Sequence, residues 1–155
     1  MTLALDGTDR RILHLLQTDG KASIQEIAGQ VALSTSPCWR RIKRMEEAGL
    51  ITGYTARLNP KLLGLHALAY VFVTLMDHRE DTIAAFNRLV QTEDRIIECA
   101  SVTGESDYIL KIAAKDPEDL EYFLMRGILA SGLVRASHTN FVLRRTKPTS
   151  PWPIL

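Results

Sequence analysis

The dipeptide Asn59-Pro60 separates two kinds of hydrophobic periodicity. Before it, apolar residues recur at helical spacing; from Leu68 onward they come in β-branched and aromatic runs. From Thr8, "TDRRILHLLQTDG" offers Thr8 as a cap, an acid in the first turn, apolar residues at 12, 13, 15 and 16, and a stop at Gly20. "SIQEIAGQV" opens with Ser23 and Glu26 at capping-box spacing and sets Ile24, Ile27, Ala28 and Val31 on one face. After "ALSTS", Pro37 suits a first helical turn, with Ser34 or Ser36 placed as the cap, and the helix runs to Gly49, a left-handed stop. The short turn between the last two helices makes them a helix-turn-helix. "LITGYTARLNP" then alternates, which predicts a short strand leading into a hinge.

Beyond the hinge the order is strand, helix, strand, strand, helix, strand. "ALAYVFVTL" is a strand, "DTIAAFNRLVQ" a helix, "RIIECASVTG" and "DYILKIAA" two strands around a tight loop. "DPEDLEYFLMRGIL" is an amphipathic helix and "VRASHTNFVLRRT" a last strand. This βαββαβ order is the ferredoxin-like arrangement, an antiparallel sheet with both helices on one face. The fold class is α+β. Residues 1–52 form a helix-turn-helix domain, 53–62 a linker strand or hinge, and 63–155 the ferredoxin-like domain. The sheet's other face, with Tyr70 and Phe72, needs a cover, which predicts self-association. The tail "KPTSPWPIL" packs irregularly, here or on a neighbouring subunit.

The third helix carries the most distinctive chemistry. Steps of ~100° put Cys38, Ile42, Met45 and Gly49 in one sector and leave Arg40, Arg41, Lys43 and Arg44 on the remaining arc. The apolar sector must pack on the first two helices, so the basic arc faces outward. In a helix-turn-helix the second helix enters the DNA major groove, its N-terminal residues at base edges and its basic residues on phosphates. Ser34, Thr35 and Ser36 stand at that N-terminus, able to donate to phosphates or base edges. Trp39 either buttresses the fold or lies against a backbone sugar. A solvated charged face is the alternative, but the run from Ser34 to Met45 contains no acid. Double-stranded DNA is thus the expected partner, and two helices in a dimer would read a two-fold related site.

Composition narrows the remaining classes. With 155 residues, 46% hydrophobic and 24% charged, the chain is of ordinary globular type; its net charge of +1 hides the local excess. No run reaches the ~18 apolar residues of a membrane span, and the N-terminal stretch lacks a basic and an apolar signal region, so a cytoplasmic protein is expected. Cys38 and Cys99 have no partner cysteines at zinc-like spacing, and His14, His66, His78 and His138 are scattered. Neither a metal nor a cofactor is called for. "GESDY" has Tyr108 where a nucleophile elbow needs its second Gly, and Ser106 falls in a hairpin, so no enzyme is expected.

The segment from Leu5 to Pro60 resembles the N-terminal half of the Lrp/AsnC (leucine-responsive, feast/famine) transcription regulators. The resemblance rests on "LD..DRRIL..LQ", "LS.SPCWRRI.RME..GLI.GY", "LNP" and the later "TGESDYILK", and spans nearly the whole chain. It implies a winged-type helix-turn-helix joined to a ferredoxin-like effector and oligomerisation domain, in homodimers that assemble to tetramers or octamers and bind amino acids between dimers. One departure is Ala32, where the family commonly has Gly; if φ must be positive there, alanine costs about 1 kcal/mol.

Read from its residues alone, "SVTGESDYILK" is a hairpin in which Gly104 supplies positive φ. The resemblance makes it the effector-binding turn. Thr103 and Gly104 would bring backbone N–H groups to a carboxylate, Glu105 or Asp107 would hold an ammonium, and Tyr108 would wall the pocket. Two other functions share this architecture: a sirohaem-decarboxylase-like enzyme, which would need a tetrapyrrole pocket instead of a basic helix, and an effector-sensing protein-interaction module.

Overall fold

The computed structural model describes residues 3–147 and 151–154. It divides into two compact units, Met1–Arg57 with Lys147–Leu155, and Leu58–Thr146. The first holds helices α1 (Gly7–Thr18), α2 (Ile24–Gln30) and α3 (Thr35–Glu47). Ile12, Leu13, Ile27, Ala28, Val31, Cys38, Ile42 and Met45 form its core. The apolar sector read from the third helix is therefore the buried one.

Local chemistry sets the helix ends. Asp6 caps α1, in place of Thr8: its Oδ1 accepts the N–H groups of Thr8 and Asp9, while Asp9 Oδ2 accepts the Asp6 N–H. A carboxylate outcompetes a hydroxyl here because it also interacts with the positive end of the helix dipole. Ser23 and Glu26 form the expected box at α2. At the end of α2, the Leu33 N–H donates to Ala28 O at 2.9 Å and Ala32 adopts φ 56°, a left-handed cap built on alanine. Ser34 occupies the N-cap position of α3, yet its side chain makes no capping bond. Gly49, at φ 71°, ends α3 as expected: its N–H donates to Glu46 O and that of Leu50 to Met45 O.

The segment "LITGYTARLNP" departs from expectation: among the described residues it forms no strand. A strand needs a partner to accept its backbone bonds, and none pairs with it. Ile51 instead packs on the core, the Tyr54 hydroxyl donates to Glu46, and Asn59 caps a single 3₁₀ turn at Pro60–Leu63. The tail, assigned above to the second domain, groups with the first unit. Trp152 N–H donates to Gln17 Oε1 at 2.7 Å, Gln17 Nε2 donates back to Trp152 O at 3.2 Å, and Ile154 packs on the core. Residues 148–150 and 155 of that tail lie outside the described residues.

The second unit holds β1 (Ala67–Leu75), α4 (Glu80–Thr92), β2 (Ile96–Ser101), β3 (Tyr108–Ala114), α5 (Pro117–Phe123) and β4 (Val134–Phe141). The sheet order is β2-β3-β1-β4, antiparallel at every pairing, which is the ferredoxin-like topology. Alternate residues of β1, from Ala67 to Leu75, are buried together with Phe86, Leu110, Ile112, Leu120 and Phe123. The amphipathic helix predicted over "DPEDLEYFLMRGIL" is not uniform. After α5 it widens into a π segment, Leu124–Ile128, and closes as a 3₁₀ turn, Leu129–Ser131. Gly127 sits where an added Cβ would stand 3.0 Å from the Phe123 ring, so this turn relies on glycine for its packing.

Candidate DNA and ligand sites

The outward face of α3 is less uniformly basic than its sequence implies. Arg41 Nη1 donates to Asp6 Oδ2 at 2.6 Å and to Asp9 Oδ1 at 2.8 Å, and Arg44 Nη2 donates to Asp9 Oδ2 at 2.6 Å. Asp9 lies on the buried stripe of α1 with 1% of its side chain exposed, against 31% for Arg41 and 47% for Arg44. Bonds to Asp9 and Asp6 push the Arg41 pKa up. The Asp9 N–H and the Arg41 guanidinium hold the Asp6 carboxyl below the usual carboxylate range. The run from Ser34 to Met45 thus meets its acids at the start of α1, and Arg41 and Arg44 carry intramolecular ion pairs on the arc expected to face outward.

Arg40 and Lys43 are exposed. Arg40 has no acidic partner among the described residues. Lys43 stands 3.9 Å from Glu47 on the same helix, a solvated pairing of little strength. Ser34, Thr35 and Ser36 are exposed at the N-terminus of α3. Trp39, 52% exposed, borders a cleft of about 310 Å³ with Ile24, Ile42 and Tyr54. Cys38 is buried, and burial pushes its thiol pKa up, as does burial of Cys99. Both are poor nucleophiles.

In the second unit, Thr103, Gly104 and Glu105 are exposed at the tip of the β2–β3 hairpin, with Gly104 at φ 120°. Asp107 is spoken for. Its Oδ2 accepts the Leu75 N–H at 2.7 Å, and its Oδ1 lies 2.7 Å from His78 Nε2. The contact with His78, then that with the Leu75 N–H, holds its carboxyl below the usual range. Its backbone N–H donates to Val73 O and its carbonyl accepts from Val102, so the residue pins the hairpin base to the end of β1. Tyr108 faces the helices, its ring centroid 4.8 Å from that of Phe86. Of the five residues read as a ligand turn, three lie at the tip, and Asp107 and Tyr108 hold it in place.

Sequence reasoning missed Asp6 and Asp9. The signal was present: Asp9 shares its i, i+3, i+4 stripe with Ile12 and Leu13, and an acid on an apolar stripe requires a cation to meet it. The open sheet face carries Tyr70, exposed, and Phe72, half-buried, with His138 paired opposite Phe72 on β4. No helix among the described residues is long and apolar enough to cross a membrane.

Known families match both units. A winged helix-turn-helix DNA-binding family covers residues 5–52, and the Lrp/AsnC ligand binding domain covers residues 68–152. The leucine-responsive regulatory protein of Haemophilus influenzae is 37% identical over 147 residues, covering 95% of this chain and 89% of that protein. The proline dehydrogenase transcriptional activator of Rhodobacter capsulatus is 41% identical over 140 residues, 90% of each chain. Among solved structures, a transcriptional regulator of Neisseria meningitidis in complex with L-Met superposes with a TM-score of 0.93 at 33% identity, covering 97% of each chain. An AsnC family regulator from Agrobacterium tumefaciens gives 0.90 at 31%, covering 96% of this chain and 97% of that one. With a DNA-reading helix pair in one unit and a ligand-binding fold in the other, the chain belongs to the Lrp/AsnC family of effector-modulated transcriptional regulators.

Proposed function

We propose that α3 contacts duplex DNA chiefly through Arg40 and Lys43, with Ser34, Thr35 and Ser36 at its leading end and Trp39 alongside. The observation that carries this is the division of α3: Cys38, Ile42 and Met45 are buried beneath, while Arg40 and Lys43 stand exposed with no strong partner among the described residues. Arg40→Ala with Lys43→Ala should weaken binding to any duplex. It should also flatten the dependence of log K on log salt by roughly 0.9 per lost phosphate contact, about 1.8 per subunit. An unchanged slope in a folded double variant would refute the assignment. Such a regulator works in the cytoplasm, where its DNA is.

The effector is an amino acid, held at the hairpin tip. The exposed Thr103, Gly104 and Glu105 support this, as does the L-Met complex of the Neisseria relative. Glu105 then pairs with the ammonium, and Asp107 keeps the turn in shape. The open sheet face joins two copies into a dimer, which further assembles to tetramers or octamers. A thermal-shift screen of the twenty amino acids tests the effector, since a ligand binding only the native state raises apparent stability. A hit abolished by Glu105→Gln supports the site, and a hit untouched by it places the ligand elsewhere.

A further inference from the structure

Resting on the DNA-binding role of α3, we propose that Asp9 is a positioning residue for DNA recognition: its buried carboxylate holds Arg41 and Arg44 in fixed poses, favouring discrimination between sequences over general affinity.

Asp9 does not contact the outward face. It sits on α1 with 1% of its side chain exposed and is reached by the guanidinium groups of both arginines, Arg41 at 2.8 Å and Arg44 at 2.6 Å. A carboxylate at that depth is tolerated only when paired and hydrogen-bonded. Here the Asp6 N–H adds a bond at 3.1 Å to the same Oδ2 that Arg44 reaches. Asp6, Asp9, Arg41 and Arg44 form a cluster whose charges cancel. Each guanidinium nonetheless has five N–H donors. Arg41 commits Nη1 and Arg44 commits Nη2, so donors remain on both for an acceptor outside the protein.

A free arginine on a helix surface samples many rotamers and follows whichever phosphate lies nearest, which gives affinity without sequence information. An arginine tied at one nitrogen presents the others along a restricted direction, and base readout rewards that geometry. Asp9 thereby also removes charge that would favour random DNA. The capping role of Asp9 is separable, because an amide oxygen at this position can still accept the Asp6 N–H.

Asp9→Asn provides the test. Binding is measured by salt titration against two probes: the best duplex selected by the wild-type protein from a randomised pool, and a scrambled duplex of the same composition. In the folded variant, affinity for the scrambled duplex should rise and its salt slope should steepen by up to about 0.9 per released arginine. The ratio of selected to scrambled affinity should fall about ten-fold. Asp9→Glu, which keeps the carboxylate at a position where capping boxes accept Glu, should restore the ratio. An Asn variant whose slope and ratio match the wild type would overturn the proposal. So would equal weakening toward both duplexes. Should Asp9→Asn fail to fold, Arg41→Gln leaves Asp9 paired with Arg44. It should lower the ratio without changing the scrambled-duplex slope, and a slope reduced by about 0.9 would show Arg41 to be an ordinary phosphate contact. Absence of salt-dependent DNA binding by the wild type would instead reject the DNA-binding role itself.

Discussion

Replacing Ala32 by glycine should stabilise the first unit, a sign opposite to the usual effect of glycine. Ala32 holds φ 56° at the turn between α2 and α3, is exposed, and is the only described non-glycine residue at positive φ. An L-residue with a Cβ pays about 1–2 kcal/mol in that region. Glycine escapes this cost but gives up about 0.4–1 kcal/mol through the greater freedom of its unfolded chain. No packing is lost, because the flanking Leu33 makes the hydrophobic contact and its N–H bonds Ala28. The net expectation is a gain of about 0.5–1 kcal/mol, or roughly 2–8 °C in the melting of a unit this size. Both tryptophans, Trp39 and Trp152, belong to the first unit, so urea unfolding followed by tryptophan fluorescence reports on it selectively. The midpoint should rise at constant m-value. As a control, Ala84→Gly on the exposed side of α4 should lose about 1 kcal/mol by far-UV circular dichroism. An unchanged or lower fluorescence midpoint for Ala32→Gly would mean that the turn is held by something other than the backbone geometry described.

Burial, and then Glu46, push the Tyr54 pKa up to about 12. The folded state therefore keeps a proton that the unfolded chain gives up from about pH 10. Its contribution is fully present below pH 10 and is lost as the pH climbs toward 12. Fluorescence-detected urea midpoints should fall over that window, and Tyr54→Phe should flatten the decline. In the second unit, Phe86 is fully buried against Tyr108. Phe86→Ala should cost about 3–5 kcal/mol, read from the urea dependence of far-UV dichroism; a loss below about 1 kcal/mol would contradict the packing described.

Much of this architecture was legible because local signals and tertiary packing agree. Ser23 with Glu26, and Gly49, mark helix ends by short-range bonds that the finished fold retains, and Cys38, Ile42 and Met45 share a face at helical spacing. The strands declared themselves through runs such as "ALAYVFVTL", and their order follows from the ferredoxin-like connectivity. What escaped depends on residues distant in sequence. The alternation in "LITGYTARLNP" is real, but a strand is a property of two segments, and none comes to pair with this one. The basic arc of α3 was read without α1, whose carboxylates arrive from more than thirty positions away. The packing of Tyr108 on Phe86 was within reach of the sequence: it shares parity with Leu110 and Ile112, the helix-facing side of β3, and that alternation could have been counted.

The return of the tail to α1 makes the first unit discontinuous along the chain. Gln17 meets Trp152 only after the whole of Leu58–Thr146 has been made. During synthesis the helices can assemble early, yet their covering by Trp152 and Ile154 waits on the translation of an entire intervening unit. An isolated Met1–Arg57 fragment is accordingly an incomplete object, with the surface beside Gln17 open to water.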